Sequence, residues 1–285
     1  MVAASIITLI IMLAVAIPTL YRMADTTIRG PVFLCLVLIM PMCWLMIHGV
    51  RLPFDRWLQS ILDNGETLVW LRTTYAPLTE EPAKLMPLLF PFVRKAITRK
   101  NFVAIAVALG VGFAVGEVFT VGGIVRSQSP EEASLPWYFL GGFINERLMT
   151  GLIHSGMTCA ALWCIVNNRG IVCGLAAAMG LHYIVNFPIT MAQLGWLGPN
   201  LTVSQIILGV WITACGLVGF AFLQHSAGSK YRVGAAIFGH TVCPSCKTSY
   251  TRRLRGLNFG LSLRYEPCPN CKNWHWTKRL KPVDE

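Results

Sequence analysis

Charge is what this sequence lacks. Only 13% of its 285 residues are Asp, Glu, Lys or Arg, about half the quarter that a soluble domain carries. With 54% hydrophobic residues and a mean hydropathy of +0.56, that deficit excludes an ordinary cytosolic enzyme, a disordered chain and a secreted disulfide scaffold. No basic residue precedes the first apolar run, as one would in a cleaved leader, so the run reads as a retained helix. The charge that is present is unevenly placed. Up to Gln224 there are 13 basic and 10 acidic residues, and from His225 onward 11 and 3, so the two parts carry +3 and +8. One chain contains two solvents, a membrane body and a basic aqueous tail.

Crossing the hydrocarbon takes about 20 apolar helical residues. Runs 2–20, 31–50, 102–124, 137–166, 171–194 and 203–223 each meet that length. Stretch 68–93 is more polar, with Arg72, Glu80, Glu81, Lys84 and four prolines. A broken, polar helix is tolerated in a bilayer only where protein or a water cavity surrounds it. Counted as a crossing, it makes seven spans. Basic residues in short loops then set the sidedness. Arg94, Lys95, Arg99 and Lys100 crowd one linker and the tail holds eleven more, whereas loop 126–136 has only Arg126 and loop 195–202 has none. The expectation is a multi-pass cell-membrane protein with its N-terminus outside and its C-terminus cytoplasmic.

Ionisable groups within spans are expensive and point to function by default. At a rise of ~1.5 Å per residue from the basic end of each span, Glu81 lies at ~20 Å, Glu117 at ~24 Å, His154 at ~20 Å and His182 at ~18 Å. Four polar side chains from four helices therefore share one level, provided that 68–93 crosses. A carboxylate shielded from water is a general base, and an imidazole can hold a metal or steady an oxyanion. Water activation within the membrane is the natural reading, with proton or ion transport built from the same ingredients. Glu146 and Arg147 read as a structural pair near the outer surface.

In this setting Glu80-Glu81-Pro-Ala-Lys84 resembles the EExxK motif of the PrsW-type intramembrane proteases, relatives of the CAAX prenyl endopeptidases. Phe113-Ala-Val-Gly-Glu117 is similar to that family's FxxxE motif, His154-Ser-Gly-Met-Thr158 to its HxxxT helix and His182-Tyr-Ile-Val-Asn186 to its terminal HxxxN. The four occur in the family's order, while Leu85 and Val118 stand where members often carry Glu and Asn. The resemblance implies cleavage of a membrane-embedded or membrane-proximal peptide bond in a membrane-protein substrate. Glu80 and Glu81 would supply the base, with Glu117 and His154 in the same site. His182 and Asn186 would polarise the carbonyl or bind a metal. A catalytic zinc on His154, His182 and Glu117 and a purely glutamate-driven mechanism are both open.

The tail holds Cys243-Pro-Ser-Cys246 and Cys268-Pro-Asn-Cys271, two C-x2-C pairs at the spacing of a four-thiolate structural zinc site. A zinc ribbon is expected, with short strands between the pairs. Its basic residues suit anionic lipid headgroups and make nucleic acid the lesser partner. Trp274 and Trp276 read as cover for a small core. The expected organisation is an all-α polytopic protease-like domain over 1–224, a linker over 225–239 and the basic ribbon over 240–285. Two other classes fit the composition: a proton-coupled transporter, and a catalytically silent scaffold recruiting partners through its ribbon.

Overall fold

A computed structural model describes residues 1–198, 200–228, 233, 239–252, 255–259 and 263–280. The body is helical: α1 (Val2–Met23), α2 (Arg29–Met46), α3 (Leu52–Ile61), α4 (Gly65–Leu85), α5 (Pro91–Ala96), α6 (Phe102–Gln128), α7 (Pro130–Ser134), α8 (Gly141–Val166), α9 (Gly170–Gln193) and α10 (Leu201–Ser226). Among the described residues, six helices are long and apolar enough to cross a membrane, one of them the continuous stretch Arg29–Ile61 that joins α2 to α3 through a π-helical turn, Ile47–Arg51. α6 is the most enclosed and packs against α1, α2 and α8.

The ends of the helices sort into two faces. Lys100 of the basic linker pairs with Asp25 at 2.5 Å, and the Arg99 side chain donates to the Val166 carbonyl at 3.3 Å. The loops after α1, before α6 and after α8 thus meet on one face. On the other, the N-terminal amine donates to Ala133 O at 2.7 Å. α4 connects the faces. Near its start Trp70 packs on Trp196, beyond α9, and at its end Leu85 and Leu88 line a cavity with Ile165 and Ile171 at the α8–α9 turn. Its 21 residues give ~31 Å of helix, so the polar stretch runs the depth of the bundle.

Local chemistry sets the bounds of α4. The Asn64 side chain accepts from the backbone N–H of Glu66 and Thr67 at 2.9 and 3.4 Å, an N-cap. Where the sequence suggested one segment to residue 93, the helix stops at Leu85, a 3-10 turn follows over Met86–Leu89, and α5 begins at Pro91. Pro87 and Pro91 lack the N–H that would continue the ladder. α8 likewise begins at Gly141 rather than at residue 137, after Pro136 and a 3-10 turn over Trp137–Phe139.

Small residues let these helices touch, because lipid offers little apolar driving force between them. A Cβ on Gly110 would fall 2.6 Å from the carbonyl carbon of His154, against backbone. Glycine there is what allows α6 and α8 to bring Glu117 and His154 together.

The tail folds into two antiparallel sheets, β1 (His240–Val242) with β2 (Ser249–Thr251), and β3 (Leu257–Phe259), β4 (Leu263–Pro267) and β5 (Trp274–Lys278) in the order β3-β4-β5.

Candidate functional site

Consecutive helical residues diverge by about 100°, and α4 uses this to send Glu80 and Glu81 to different neighbours. Glu80 pairs with Arg51 of the π-helical turn. Glu81 accepts from Lys84 Nζ and lies against His182 Nδ1 of α9, both at 2.6 Å from Oε1. Lys84 is one turn beyond Glu81, on the same face. It has no exposed surface, and its ammonium also meets His154 Nδ1 at 2.6 Å. The other nitrogen of His154 is 3.1 Å from Glu117 Oε2, and His182 Nε2 is 3.7 Å from Glu80 Oε2. Phe113, one turn before Glu117 on α6, lies edge-on to the His154 ring and beneath Lys84 Nζ.

One bonded network therefore joins α4, α6, α8 and α9, and Glu80, Glu81, Glu117, His154 and His182 are each 8% exposed or less. The four residues expected at a common depth are all in it, together with Glu80. Asn186, one turn after His182, is half-buried and its side chain forms no hydrogen bond among the described residues. One member was expected nearer the outer surface, and one was not foreseen. Arg147 does pair with Glu146, but it is 8% exposed and also reaches Glu117 Oε2 at 3.5 Å, so it belongs to the network rather than to the surface. Arg51, the unforeseen one, stands one residue past the apolar run 31–50. Only the π-helical turn shows that it folds back onto Glu80, a local irregularity often found at functional sites.

Glu80, Glu117 and His154 each offer an atom within 4.8 Å of the others and could hold a metal ion. Three protein ligands and a free position are what a catalytic divalent site needs. The hydrogen bonds impose one condition. An ammonium can only donate, so Lys84 on Nδ1 puts the His154 proton on Nε2, facing Glu117. Ligation through Nε2 requires the other tautomer, with the Nδ1 contact released and Lys84 left to Glu81. His182 is already arranged as a lone-pair donor, since an Nδ1–H directed at Glu81 leaves Nε2 free.

The four tail cysteines form a second cluster, their sulfurs also within 4.8 Å of one another. Cys243 Sγ lies 3.7 Å from Cys271 Sγ, and Cys246 Sγ 3.6 Å from Cys268 Sγ. Tetrahedral thiolates at ~2.3 Å from zinc are ~3.8 Å apart, so the fit is close. Thr248 places its hydroxyl 3.3 Å from Cys246 Sγ. That contact and the Thr248 backbone bond hold the Cys246 thiol down at about 5, far below an ordinary thiol. The membrane and tail clusters are separate.

Residues 29–220 match the family described as PrsW family intramembrane metalloprotease, a stretch containing every residue of the buried network and none of the tail cluster. No curated protein and no solved structure matches the chain.

Proposed function

The chain belongs to the PrsW family of intramembrane metalloproteases, and from that premise we propose that it hydrolyses a peptide bond in or beside the membrane, in a membrane-protein substrate, at the Glu80–Glu81–Glu117–His154–His182 network. The observation that carries this reading is the buried hydrogen-bonded chain Glu117–His154–Lys84–Glu81–His182, which runs across four helices.

Glu80, Glu117 and His154 would hold the metal ion. Such an ion polarises a carbonyl and makes water a stronger acid. The remaining roles follow from the hydrogen bonds. Glu81 holds the Nδ1–H of His182 and so fixes that ring's tautomer and direction, leaving Nε2 to take the proton of the attacking water. The carboxylate of Glu81 offsets the imidazolium that forms, as the acid of a Ser-His-Asp triad does. The same nitrogen returns the proton to the departing amine. Lys84 anchors Glu81, and Asn186, one turn after His182, orients the substrate carbonyl. Arg51 and Arg147 position Glu80 and Glu117. The tail cluster holds zinc as a closed four-thiolate site, structural in role. Four basic residues in the linker before α6 and a tail of +8 favour a cytoplasmic C-terminus.

Purified protein in liposomes, incubated with solubilised membrane proteins and analysed for new peptide termini by mass spectrometry, tests the reading. His182→Gln, which removes the acid–base group, should lower product formation on the order of 10²-fold or more, and Glu117→Gln, which removes a ligand to the metal that would polarise the carbonyl, should lower it on a similar order. Products that persist in both variants at the wild-type rate would overturn it.

A further inference from the structure

The three-stranded sheet of the tail is inside out. Side chains alternate along a strand, so residues two apart share a face. On β4 and β5 the enclosed face carries Arg264, Glu266 and Thr277, exposed by 2, 1 and 2%. Arg252 joins them from beside β2. It pairs with Glu266 at 3.3 Å and donates to the Thr277 carbonyl at 2.8 Å, and the Thr277 hydroxyl donates to Glu266 Oε1 at 2.6 Å. The enclosed side of this sheet is thus polar, and the buried apolar cluster of the tail is Cys243, Tyr250 and Cys268. The opposite face presents Tyr265 between Trp274 and Trp276, with ring centroids 5.3 and 5.1 Å apart, and Leu257 beside Tyr265 in register. Trp274, Trp276 and Leu257 are 41, 51 and 61% exposed. The tryptophans therefore cover no core, contrary to the sequence reading. The rim is basic: Lys278 shares the face, and the Arg255 guanidinium lies over the Trp274 ring at 5.9 Å.

We propose that this aromatic face of the tail, Leu257, Tyr265, Trp274 and Trp276, docks in the anionic interface of the bilayer in which the chain itself sits. Three observations select that occupant. The 13 residues between the end of α10 and β1 span at most ~45 Å at ~3.5 Å each, so the sheet cannot leave the vicinity of the membrane. Trp and Tyr are the side chains that favour the headgroup level, where an apolar ring and a polar edge are both satisfied. Basic residues at the rim of the face, on a tail carrying +8, complement acidic headgroups. Docking would hold the tail flat at the mouth of the bundle. It does not depend on the proteolytic reading.

The test uses the full chain in nanodiscs of phosphatidylcholine, with and without phosphatidylserine. The contribution of the two ribbon tryptophans is the difference between wild type and Trp274→Phe/Trp276→Phe. In phosphatidylserine discs that difference emission should be blue-shifted, quenched by lipids brominated high in the acyl chain and shielded from iodide. Arg255→Gln and Lys278→Gln should each weaken docking about fivefold at low salt. Hydrogen exchange on the unmodified protein covers the case in which the double variant loses its ribbon zinc. Amides of Trp274–Lys278 should exchange more slowly in phosphatidylserine discs. Iodide quenching without bromolipid quenching, equal exchange in both discs, or shielding only when a single-stranded oligonucleotide is added in detergent would each overturn the proposal.

Discussion

Replacing Lys84 with Met keeps the length of the stem and deletes the charge. The ammonium is wholly buried and has three partners: Glu81 Oε1 and His154 Nδ1, both at 2.6 Å, and the face of Phe113 at 4.8 Å from its centroid. Without it, Glu81 retains only His182 among the cation donors of the network. Removing one partner of a buried pair costs about 3–5 kcal/mol, mostly for the charge left behind. On the scale of a domain of ~200 residues, where each kcal/mol moves the melting point by about 2–4 °C, the loss is ~6–20 °C. Glu81→Gln in the same chain deletes the abandoned charge. The double variant should therefore recover much of the loss, with a coupling energy of about 2 kcal/mol or more. The four proteins would be melted in one detergent and assayed for cleavage. Stability should return in the double variant while cleavage does not, because the neutral amide that Glu81→Gln introduces cannot offset a charged His182. A Lys84→Met melting point equal to wild type, or losses that simply add, would refute the pairing.

Arg51→Gln releases Glu80 from its guanidinium, and cleavage should fall on the order of 10²-fold if that contact aims the carboxylate; an unchanged initial rate would deny it a positioning role. Gly110→Val forces α6 and α8 apart at His154 and should cost about 1–3 kcal/mol by overpacking, read as a lower melting point together with lost cleavage. After chelation, Cys246, a thiolate above about pH 5, should be alkylated near pH 6 well ahead of Cys271. For Cys271 the backbone N–H of Asn273 favours the thiolate, but burial and the neighbouring thiols push it up to about 11; equal labelling of the two would contradict this. Changing Cys243, Cys246, Cys268 and Cys271 to Ser should remove one zinc per chain and leave a second divalent ion that is lost when Glu117→Gln is added. A metal-free quadruple variant would confine metal to the tail.

The architecture was legible because hydropathy and loop charge answer to one solvent boundary. Runs that must avoid water are long, and the loops they force together on one face, around Asp25, Arg99 and Lys100, are the ones rich in Lys and Arg. The common depth of Glu81, Glu117, His154 and His182 could be read as well, since helical rise is nearly constant. What a linear count could not supply was azimuth. Depth alone gives no reason for Glu80 and Glu81 to take different cations, one Arg51 and the other Lys84. Nor does it show that Arg147, two turns before His154, faces inward. Arg51 was hidden for a different reason. A π-helical turn has no hydropathy signature, and the residue's position at the end of an apolar run made it resemble a flank. The inverted sheet of the tail was illegible because exposed tryptophans and buried arginines run against the ordinary pattern.

The charge of the buried network bears on why its base should be internal. With the imidazoles neutral, the enclosed carboxylates Glu80, Glu81 and Glu117 are matched by Arg51, Lys84 and Arg147, and Glu146, about a third exposed, stands at the edge as the second partner of Arg147. Glu80, Glu117 and His154, whose ligand atoms lie within 4.8 Å of one another, are where a divalent ion would have three ligands. In the proposed mechanism, moving a proton from water to His182 would change no total, because the hydroxide and the imidazolium would stay within one hydrogen-bonded network. Delivering that proton to the aqueous face would instead require charge to pass between apolar helices. In that mechanism a histidine held by Glu81, itself held by Lys84, would let the bond be attacked and the amine released without charge leaving the network.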